Sequence, residues 1–282
     1  MKYYEVTFHI TPMYEAAGDV LSALLGEVGF ETFTMTDEGV DAYIQQNLWN
    51  EDSVNQVVSE FPLPDISITY KVEEAPDEDW NQAWEETFQP ITVDKLVCIH
   101  DQRFPAYADV RYDICINPRL AFGTGSHQTT RMLLRALTEM SLEGKDIVDA
   151  GTGTGILAIL CAMRGAHDVF AYDIDEWSVN NAQENAALND CASTIHVVGG
   201  NALVLEEVKE RDLLIANINR NILLSDLPRF TKTLKNGGEL LFSGFYVADA
   251  EALITAAKML GFELKEQWSD DEWCALRLTS KL

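Results

Sequence analysis

Three glycines at alternate positions separate a strand-like run from a helix-like run, in Asp149-Ala150-Gly151-Thr152-Gly153-Thr154-Gly155-Ile156. Glycine permits positive φ and lets a ligand approach the backbone closely. The turn after a buried strand of an open α/β sheet lies at the edge where such sheets bind ligands. The sequence therefore predicts an α/β domain whose ligand site is built on this turn.

The spacing of these glycines narrows the choice of ligand. A dinucleotide fingerprint has its last glycine three residues after the second, whereas Gly155 follows Gly153 by two. A phosphate-binding P-loop continues with Lys and Ser or Thr, whereas Ile156 follows the last glycine here. Asp149 is unfavourable beside a pyrophosphate but compatible with a positively charged sulfonium. The pattern therefore favours a cationic ligand over a phosphate-rich one.

The next strand-like run, Phe170 to Asp175, also ends in carboxylates. Asp173 lies 18 residues after Gly155, and a carboxylate at that strand end can accept hydrogen bonds from both hydroxyls of a ribose. The alternative is that Asp173 or Asp175 only caps the following helix. Because the two signals stand at consecutive strand ends, we favour a ribose-binding role for Asp173.

The chain is predicted to contain two domains. Residues 1–72 follow the order strand, helix, strand, strand, helix, strand, which is the ferredoxin-like arrangement. Residues 73–90 hold an acidic run and a predicted linker helix that packs on a domain through Trp80, Trp84 and Phe88. Residues 91–282 alternate helical stretches with strand-like runs, which predicts a parallel sheet with helices on both faces. The strand-like runs are 146–150, 169–173, 194–198, 213–217 and 238–243.

Charge bears on the class of partner. The net charge is −26, and residues 1–90 carry −17 of it, with 19 acidic and 2 basic residues. Nucleic-acid binding relies on Lys and Arg at phosphates, so we expect no direct nucleic-acid binding. An acidic front domain without catalytic residues is interpreted as a recognition module for a basic partner. A structural or dimerisation role, and charge that serves solubility alone, are the alternatives.

Other classes of protein are also disfavoured. We find neither a signal-peptide pattern at the N-terminus nor an apolar run of the roughly 20 residues that span a bilayer, so we expect a soluble, cytoplasmic protein without membrane association. The five cysteines form no CxxC pair and the five histidines show no ligand spacing. We therefore expect neither a disulfide framework nor a metal site.

Four stretches of the chain resemble the PrmA family of class I methyltransferases, which methylates protein eleven of the large ribosomal subunit. They are Asn117 to Thr130, Asp149 to Ala158, Ala216-Asn217-Ile218 and Asp271 to Cys274. The resemblance implies a Rossmann-like α/β methyltransferase domain behind a small α+β ferredoxin-like domain, with S-adenosyl-L-methionine as the cofactor. It names lysine side chains of a basic ribosomal protein as acceptors, with the N-terminal amine as a further candidate. It also implies cofactor contacts at Thr130, Gly151, Asp173 and Asn217.

Further residues complete the predicted site. Gly153 and Gly155 belong to the same turn as Gly151. The hydroxyl-rich loop that starts at Phe122 carries two hinge-like glycines, so it can close over a cofactor, and we add Phe122 and Thr124 as cofactor-binding residues. Asn217 is the predicted catalytic residue, because its side-chain oxygen can accept an amine N–H and aim the nitrogen lone pair. Strand termination by a side chain to backbone bond is the alternative for Asn217.

Aromatic residues are expected near the acceptor. Phe122 or Phe245 is a candidate for an aromatic clamp, and Trp273 is predicted either to line the substrate side or to pack in the core. His127 is interpreted as a hydrogen-bonding residue rather than a base. Two other functions stay open: a methyltransferase acting on RNA or a small metabolite, and a noncatalytic binding protein that keeps the cofactor fold. Charge disfavours RNA, and a metabolite would leave the front domain without a task.

Overall fold

The computed structural model describes residues 3–63, 66–75, 88–118, 123–208 and 210–281. They fall in two compact units, Met1–Ala83 and Trp84–Leu282, so the division lies within the segment predicted as a linker. Trp80 and Trp84 of the predicted linker helix lie outside the described residues, and their packing stays a prediction. Phe88 is buried in the core of the second unit.

The first unit has the predicted ferredoxin-like order. Its elements are β1 (Tyr3–Thr11), α1 (Glu15–Glu27), β2 (Phe30–Thr36), β3 (Gly39–Gln45), α2 (Glu51–Ser59) and β4 (Ser67–Glu74). The antiparallel sheet has the order β2-β3-β1-β4. Val6 and Phe8 of β1 are fully buried while His9 is exposed, as expected for a strand with one covered face.

The second unit contains two sheets. A small three-stranded sheet is formed by the first three strands of the unit, and a seven-stranded sheet by the strands that follow. The strands β5 (Ile91–Val93), β6 (Val97–His100) and β7 (Tyr112–Cys115) form the small sheet. The large sheet and its helices comprise α3 (Gln128–Glu139), β8 (Asp146–Ala150), α4 (Ile156–Met163), β9 (Asp168–Asp173), α5 (Glu176–Leu188), β10 (Ile195–Gly199), β11 (Arg211–Asn217), α6 (Arg220–Thr233), β12 (Leu234–Tyr246), α7 (Ala250–Met259), β13 (Phe262–Asp270) and β14 (Trp273–Ser280), with short 3₁₀ helices at Ala202–Glu207 and Val247–Asp249. All five predicted strands of this unit are present.

Apolar side chains cover both faces of the large sheet. Leu213 and Ile215 of β11 belong to one buried cluster, which includes α3 and α4. Leu214 and Ala216, the residues between and after them, belong to a second cluster, which includes α6 and α7. Since alternate residues of a strand point to opposite faces, both faces are packed against helices, and the predicted α/β class is confirmed.

The strand directions differ from the prediction at one edge. The sheet has the order β10-β9-β8-β11-β12-β14-β13, in which β14 runs antiparallel to both β12 and β13. The sheet is therefore mixed and not wholly parallel. The reason is local, because β13 and β14 are joined by Asp271 and Glu272 alone, and so short a connection can only make a hairpin.

The strand order reverses between β8 and β11, which places a crevice at their carboxyl ends. From β8 the chain proceeds through β9 and β10 on one side, and through β11 and β12 on the other. In the register of the parallel strands Ala150 lies beside Ala216 and Tyr172. The glycine turn, Asp173 and Asn217 therefore all follow or end strands at the ligand-binding edge of the sheet. Among the residues described, no helix is long and apolar enough to cross a membrane.

Candidate active site

The glycine turn has the backbone conformation that its composition predicts. Gly151, Gly153 and Gly155 have φ of 72°, 54° and 83°, which is the left-handed region where glycine is favoured. A Cβ at Gly151 would meet the side chain of Ile218 at 2.5 Å. The turn therefore needs glycine both for its conformation and for the close approach of the segment that follows β11.

The carboxylates of Asp173, which ends β9, and Asp175, which follows it, have different tasks. Asp173 accepts hydrogen bonds from the backbone N–H of Gly153 at 2.9 Å and of Asp175 at 3.1 Å. Asp175 is the residue that caps α5, since its carboxylate accepts from the N–H groups of Ser178 and Trp177. A carboxylate has about four lone-pair sites, so Asp173 keeps acceptor capacity for a diol.

Asp149 lies behind the turn rather than in the site. Its carboxylate is 1% exposed and accepts a hydrogen bond from the Thr152 hydroxyl at 2.7 Å. Burial raises the pKa of Asp149 to about 6, against the lowering effect of the Thr152 hydrogen bond. Asp149 does not line the cavity at this edge of the sheet. Its carboxylate therefore acts on the glycine turn and not by direct contact with a ligand.

A cavity of about 870 Å³ opens at this edge of the sheet. Four predicted site residues line it: Gly151, Gly153, Asp173 and Asn217. Gly155 and Thr124 are described but do not line it; Gly155 instead packs closely on Ala182 of α5. Phe122 lies outside the described residues, and its predicted cofactor contact stays a prediction.

Thr130 acts on Asn217 and not on the cavity. Its side chain is fully buried, and its hydroxyl oxygen accepts a hydrogen bond from the Asn217 side-chain amide at 3.2 Å. Asn217 is 9% exposed, and its side-chain oxygen is buried without a hydrogen-bond partner among the described residues. The amide is thus fixed by its nitrogen, and its oxygen is left as an unused acceptor on a residue that lines the cavity.

Aromatic rings form one side of the cavity. Trp273 and His127 both line it, and their rings meet edge to face with centroids 4.7 Å apart. The rings of Tyr246 and Trp273 also meet, with centroids 4.4 Å apart. Phe245 is 2% exposed in the core of the sheet, so it does not supply the expected clamp. The sequence left two positions open for Trp273, the core and the substrate side, and the structure shows that Trp273 lines the cavity.

His127 has a structural task as well. Its Nδ1 accepts from the N–H of Thr129 and so caps α3. Burial, and then the nearby charge of Arg131, lower the pKa of His127. The imidazole is therefore neutral near pH 7, and a neutral ring beside Trp273 adds no positive charge to this side of the cavity.

The sequence did not predict part of the cavity wall. It includes residues at the end of β9 and just after it, in the first turn of α5, after β10 and along one side of α6: Tyr172, Ile174, Ser178, Asn201, Ala202, Leu203, Ile222, Ser225, Asp226 and Arg229. The strand-end rule that singled out Asp173 also applies to the end of β10, and would have pointed to Asn201. The contribution of α6 has no comparable signal, because it depends on how a helix lies across the sheet.

Comparisons of the sequence and of the structure with known proteins find the same kind of protein, a ribosomal protein L11 methyltransferase. The family model for ribosomal protein L11 methyltransferase (PrmA) matches residues 16–281. A ribosomal protein L11 methyltransferase of Phocaeicola vulgatus is 45% identical over 282 residues, which are 100% of both chains. One from Porphyromonas gingivalis is 41% identical over 99% of this chain and 98% of its own. A solved ribosomal protein L11 methylase from Lactobacillus delbrueckii subsp. bulgaricus aligns with a TM-score of 0.63 and 28% identity, over 69% of this chain and 100% of that one.

Proposed function

The chain belongs to the ribosomal protein L11 methyltransferase family, and from this premise we propose that it methylates amino groups of ribosomal protein L11. The proposed acceptors are lysine side chains, with the N-terminal amine as a further candidate. The methyl donor is S-adenosyl-L-methionine, which supplies an electrophilic methyl group on a sulfonium. A ribosomal client supports the cytoplasm as the proposed location, and the acidity of residues 1–90 suits a basic partner.

The residues of the cavity fit this cofactor. Asp173 has acceptor capacity left after its two backbone hydrogen bonds, as the ribose hydroxyls require. Gly151 and Gly153 present bare backbone to the cavity, which allows close approach of a ligand. The position of these groups at the reversal of strand order is where open α/β sheets bind nucleoside ligands. We assign Asp173 to the ribose and the two glycines to the backbone contacts.

The observation that carries the amine assignment is the unpartnered oxygen of Asn217. A buried amide oxygen without a partner is costly, so a donor is expected to meet it when the site is filled. An amine N–H held by this oxygen keeps its nitrogen in one orientation, which favours an in-line displacement. Because the Thr130 hydroxyl holds the other end of the amide, the oxygen cannot rotate away freely.

The acceptor amine must be neutral to react. A lysine ammonium has a pKa near 10.4 in water, so most of it is protonated near pH 7. Side chains such as Ile218, Ile222 and Trp273 surround the cavity, and transfer into such an environment disfavours the charged form. The apolar wall thus promotes loss of the proton, and Asn217 then holds the neutral amine.

A label-transfer experiment tests the function. The protein is incubated with methyl-labelled S-adenosylmethionine and ribosomal proteins from cells that lack this enzyme, and labelled residues are identified by mass spectrometry. We expect label on L11 amino groups, and a rate at least about 100-fold lower for Asn217→Ala because an orienting contact to the reacting atom is lost. S-adenosylhomocysteine affinity, measured by calorimetry, is the control and should change much less. Label on RNA, or on carboxyl or hydroxyl groups, would contradict the proposal.

A further inference from the structure

Thr154 of the glycine turn does not line the cavity. Its side chain is fully buried, and its hydroxyl donates to the carbonyl oxygen of Gly123 at 2.6 Å. Gly123 has φ of 104°, and a Cβ there would lie 3.0 Å from the Thr154 hydroxyl. The contact is therefore a close one between residues 31 positions apart, and it ties the segment before α3 to the turn.

Asn185 of α5 makes a second tie to the same residue. Its side-chain nitrogen donates to the Thr154 carbonyl oxygen at 2.8 Å, and its side-chain oxygen accepts from the N–H of Asn117 at 2.7 Å. Asn185 is fully buried, and its second N–H donates to the side-chain oxygen of Asn181 at 3.2 Å. Every polar group of this side chain is used, so the amide is held in a single orientation.

Asn185 is the middle member of a row of three asparagines spaced four residues apart, of which Asn181 and Asn185 lie in α5 and Asn189 is its C-cap. Asn181 donates to the carbonyl oxygen of Asn117 at 3.0 Å. Asn189 accepts from the N–H of Cys115 and donates to its carbonyl oxygen, at 2.9 and 2.6 Å. The row thus pairs with the N–H and C=O groups of alternate residues, as a neighbouring strand would, and fixes the chain at and beyond the end of β7.

These contacts converge on one turn residue. Gly123 is held by the Thr154 side chain, and Asn117 is held by the Thr154 backbone through Asn185. From Gly123 the chain runs four residues to His127, which lines the cavity and caps α3. Three residues later Thr130 holds the amide of Asn217. The hydrogen bonds therefore connect the side of the cavity that carries the glycine turn to the side that carries the acceptor residues.

We propose that Thr154 and Asn185 are positioning residues, which fix the segment 123–127 against the glycine turn so that His127 and Asn217 keep their places relative to Asp173. This rests on the function proposed above, which assigns Asn217 to the amine and Asp173 to the ribose. Neither residue touches the cavity, so neither binds a ligand itself. Loss of the Thr154 hydroxyl removes the donor to the half-buried Gly123 carbonyl, and loss of one such hydrogen bond displaces a local equilibrium by up to about tenfold.

The test compares Thr154→Val, which removes the hydroxyl, with Thr154→Ser, which keeps it. Thr138→Val is the matched control, since Thr138 is 8% exposed and its hydroxyl donates to the Arg135 carbonyl within α3. Hydrogen exchange of peptides covering 123–127, kcat for methylation of L11 and affinity for S-adenosylhomocysteine are measured for each.

For Thr154→Val we expect faster exchange at 123–127 and a kcat lowered about tenfold, with cofactor affinity within about threefold of the wild type. Thr154→Ser should restore both, and Thr138→Val should alter neither. Unchanged exchange and kcat in Thr154→Val would overturn the proposal, as would a loss in Thr154→Ser equal to that in valine. If the wild-type protein does not methylate L11, the proposed function fails, and the exchange data alone decide whether Thr154 holds the segment.

Discussion

Asp173 and Asp175 show how two neighbouring carboxylates divide binding from stability. Asp175 satisfies N–H groups at the start of α5, a contribution of about 1 kcal/mol for a helix cap. Asp173 instead holds the N–H of Gly153 and lines the cavity. The sequence favoured Asp173 for the ribose but left open which of the two carboxylates caps α5, because Asp173 ends β9 and both residues precede the same helix.

Substitution of each carboxylate by alanine separates the two tasks. We expect Asp173→Ala to weaken S-adenosylhomocysteine binding about 100-fold, since hydrogen bonds to a charged group are lost. Asp175→Ala should leave that affinity within about twofold and lower the free energy of unfolding by about 1 kcal/mol. Calorimetric titration and urea denaturation measure the two quantities. Equal losses of affinity in both variants would contradict the assignment of Asp173 to the ligand.

The buried Asp149 makes stability depend on pH. Burial raises its pKa in the folded protein to about 6, whereas an unfolded Asp has a pKa of about 3.9. Between these values the folded state binds more protons than the unfolded state, so the free energy of unfolding falls as the pH rises through this window. Above about pH 6 the carboxylate is ionised in both states, and the free energy of unfolding stays lowered by the full cost of burying its charge.

We expect a pH-dependent difference between the wild type and Asp149→Asn. From about pH 5 to about pH 7.5, the free energy of unfolding of the wild type should fall by about 1 kcal/mol relative to the variant. Urea denaturation at several pH values measures this difference. A pH-independent effect of the substitution on the free energy of unfolding is the same at every pH, so it does not change the slope. The other titrating groups are present in both proteins, so their contributions cancel in the difference. A difference that does not vary with pH would show that the carboxylate is not desolvated.

Among the elements, β12 shapes the acceptor side of the site through one glycine. Gly244 has φ of 94°, and a Cβ there would lie 2.5 Å from the backbone oxygen of Ile218. Ile218 follows Asn217 directly, and its N–H donates to the carbonyl oxygen of Ser243 at 3.2 Å. The end of β12 therefore sets the path of the chain as it leaves Asn217.

Gly244→Ala should be costly for activity as well as stability, because a backbone atom cannot move aside as a side chain can. Gly237→Ala is the matched control: Gly237 lies on β12 with φ of 73°, and a Cβ there would meet nothing within 4 Å. The control should lose about 1–2 kcal/mol of stability from the left-handed conformation alone. Gly244→Ala should lose more than this, with kcat lowered at least about tenfold by displacement of Asn217. Equal kcat values in the two variants would refute the role given to Gly244.

The strand ends were predictable from the sequence, and the contacts between elements were not. Asp173 and Asn217 follow apolar runs, and the carboxyl ends of parallel strands meet at one edge whatever lies between them. Thr130 was implied as a cofactor contact, yet it meets Asn217 across 87 residues of sequence. The asparagine row on α5 reads as ordinary helix surface, because only the packing of α5 on the chain beyond β7 brings it to Asn117. Such pairings depend on tertiary position, which periodicity does not contain.

Over the whole molecule, charge and chemistry are unevenly distributed. Residues 1–90 carry −17 of the net −26, while the cavity and its strand ends belong to the unit Trp84–Leu282. The ferredoxin-like order of the first unit was readable from the sequence, since its short strand-like and helical runs follow one another in that order along the chain. The first unit is thus acidic and carries none of the residues that line the cavity, as expected of a recognition module for a basic protein.

Salt distinguishes that role from solubility alone. The screening length falls from about 10 Å at 0.1 M to about 3 Å at 1 M ionic strength, so the attraction proposed between the acidic unit and a basic L11 should weaken across this range. We expect the association rate constant to fall at least about tenfold, with a smaller change in dissociation, because long-range charge acts mainly on encounter. Stopped-flow measurement of L11 binding gives both rates, and S-adenosylhomocysteine affinity over the same range is the control for general salt effects. An association rate that is insensitive to salt would mean that the charge of the front unit keeps the protein soluble and does not attract its substrate.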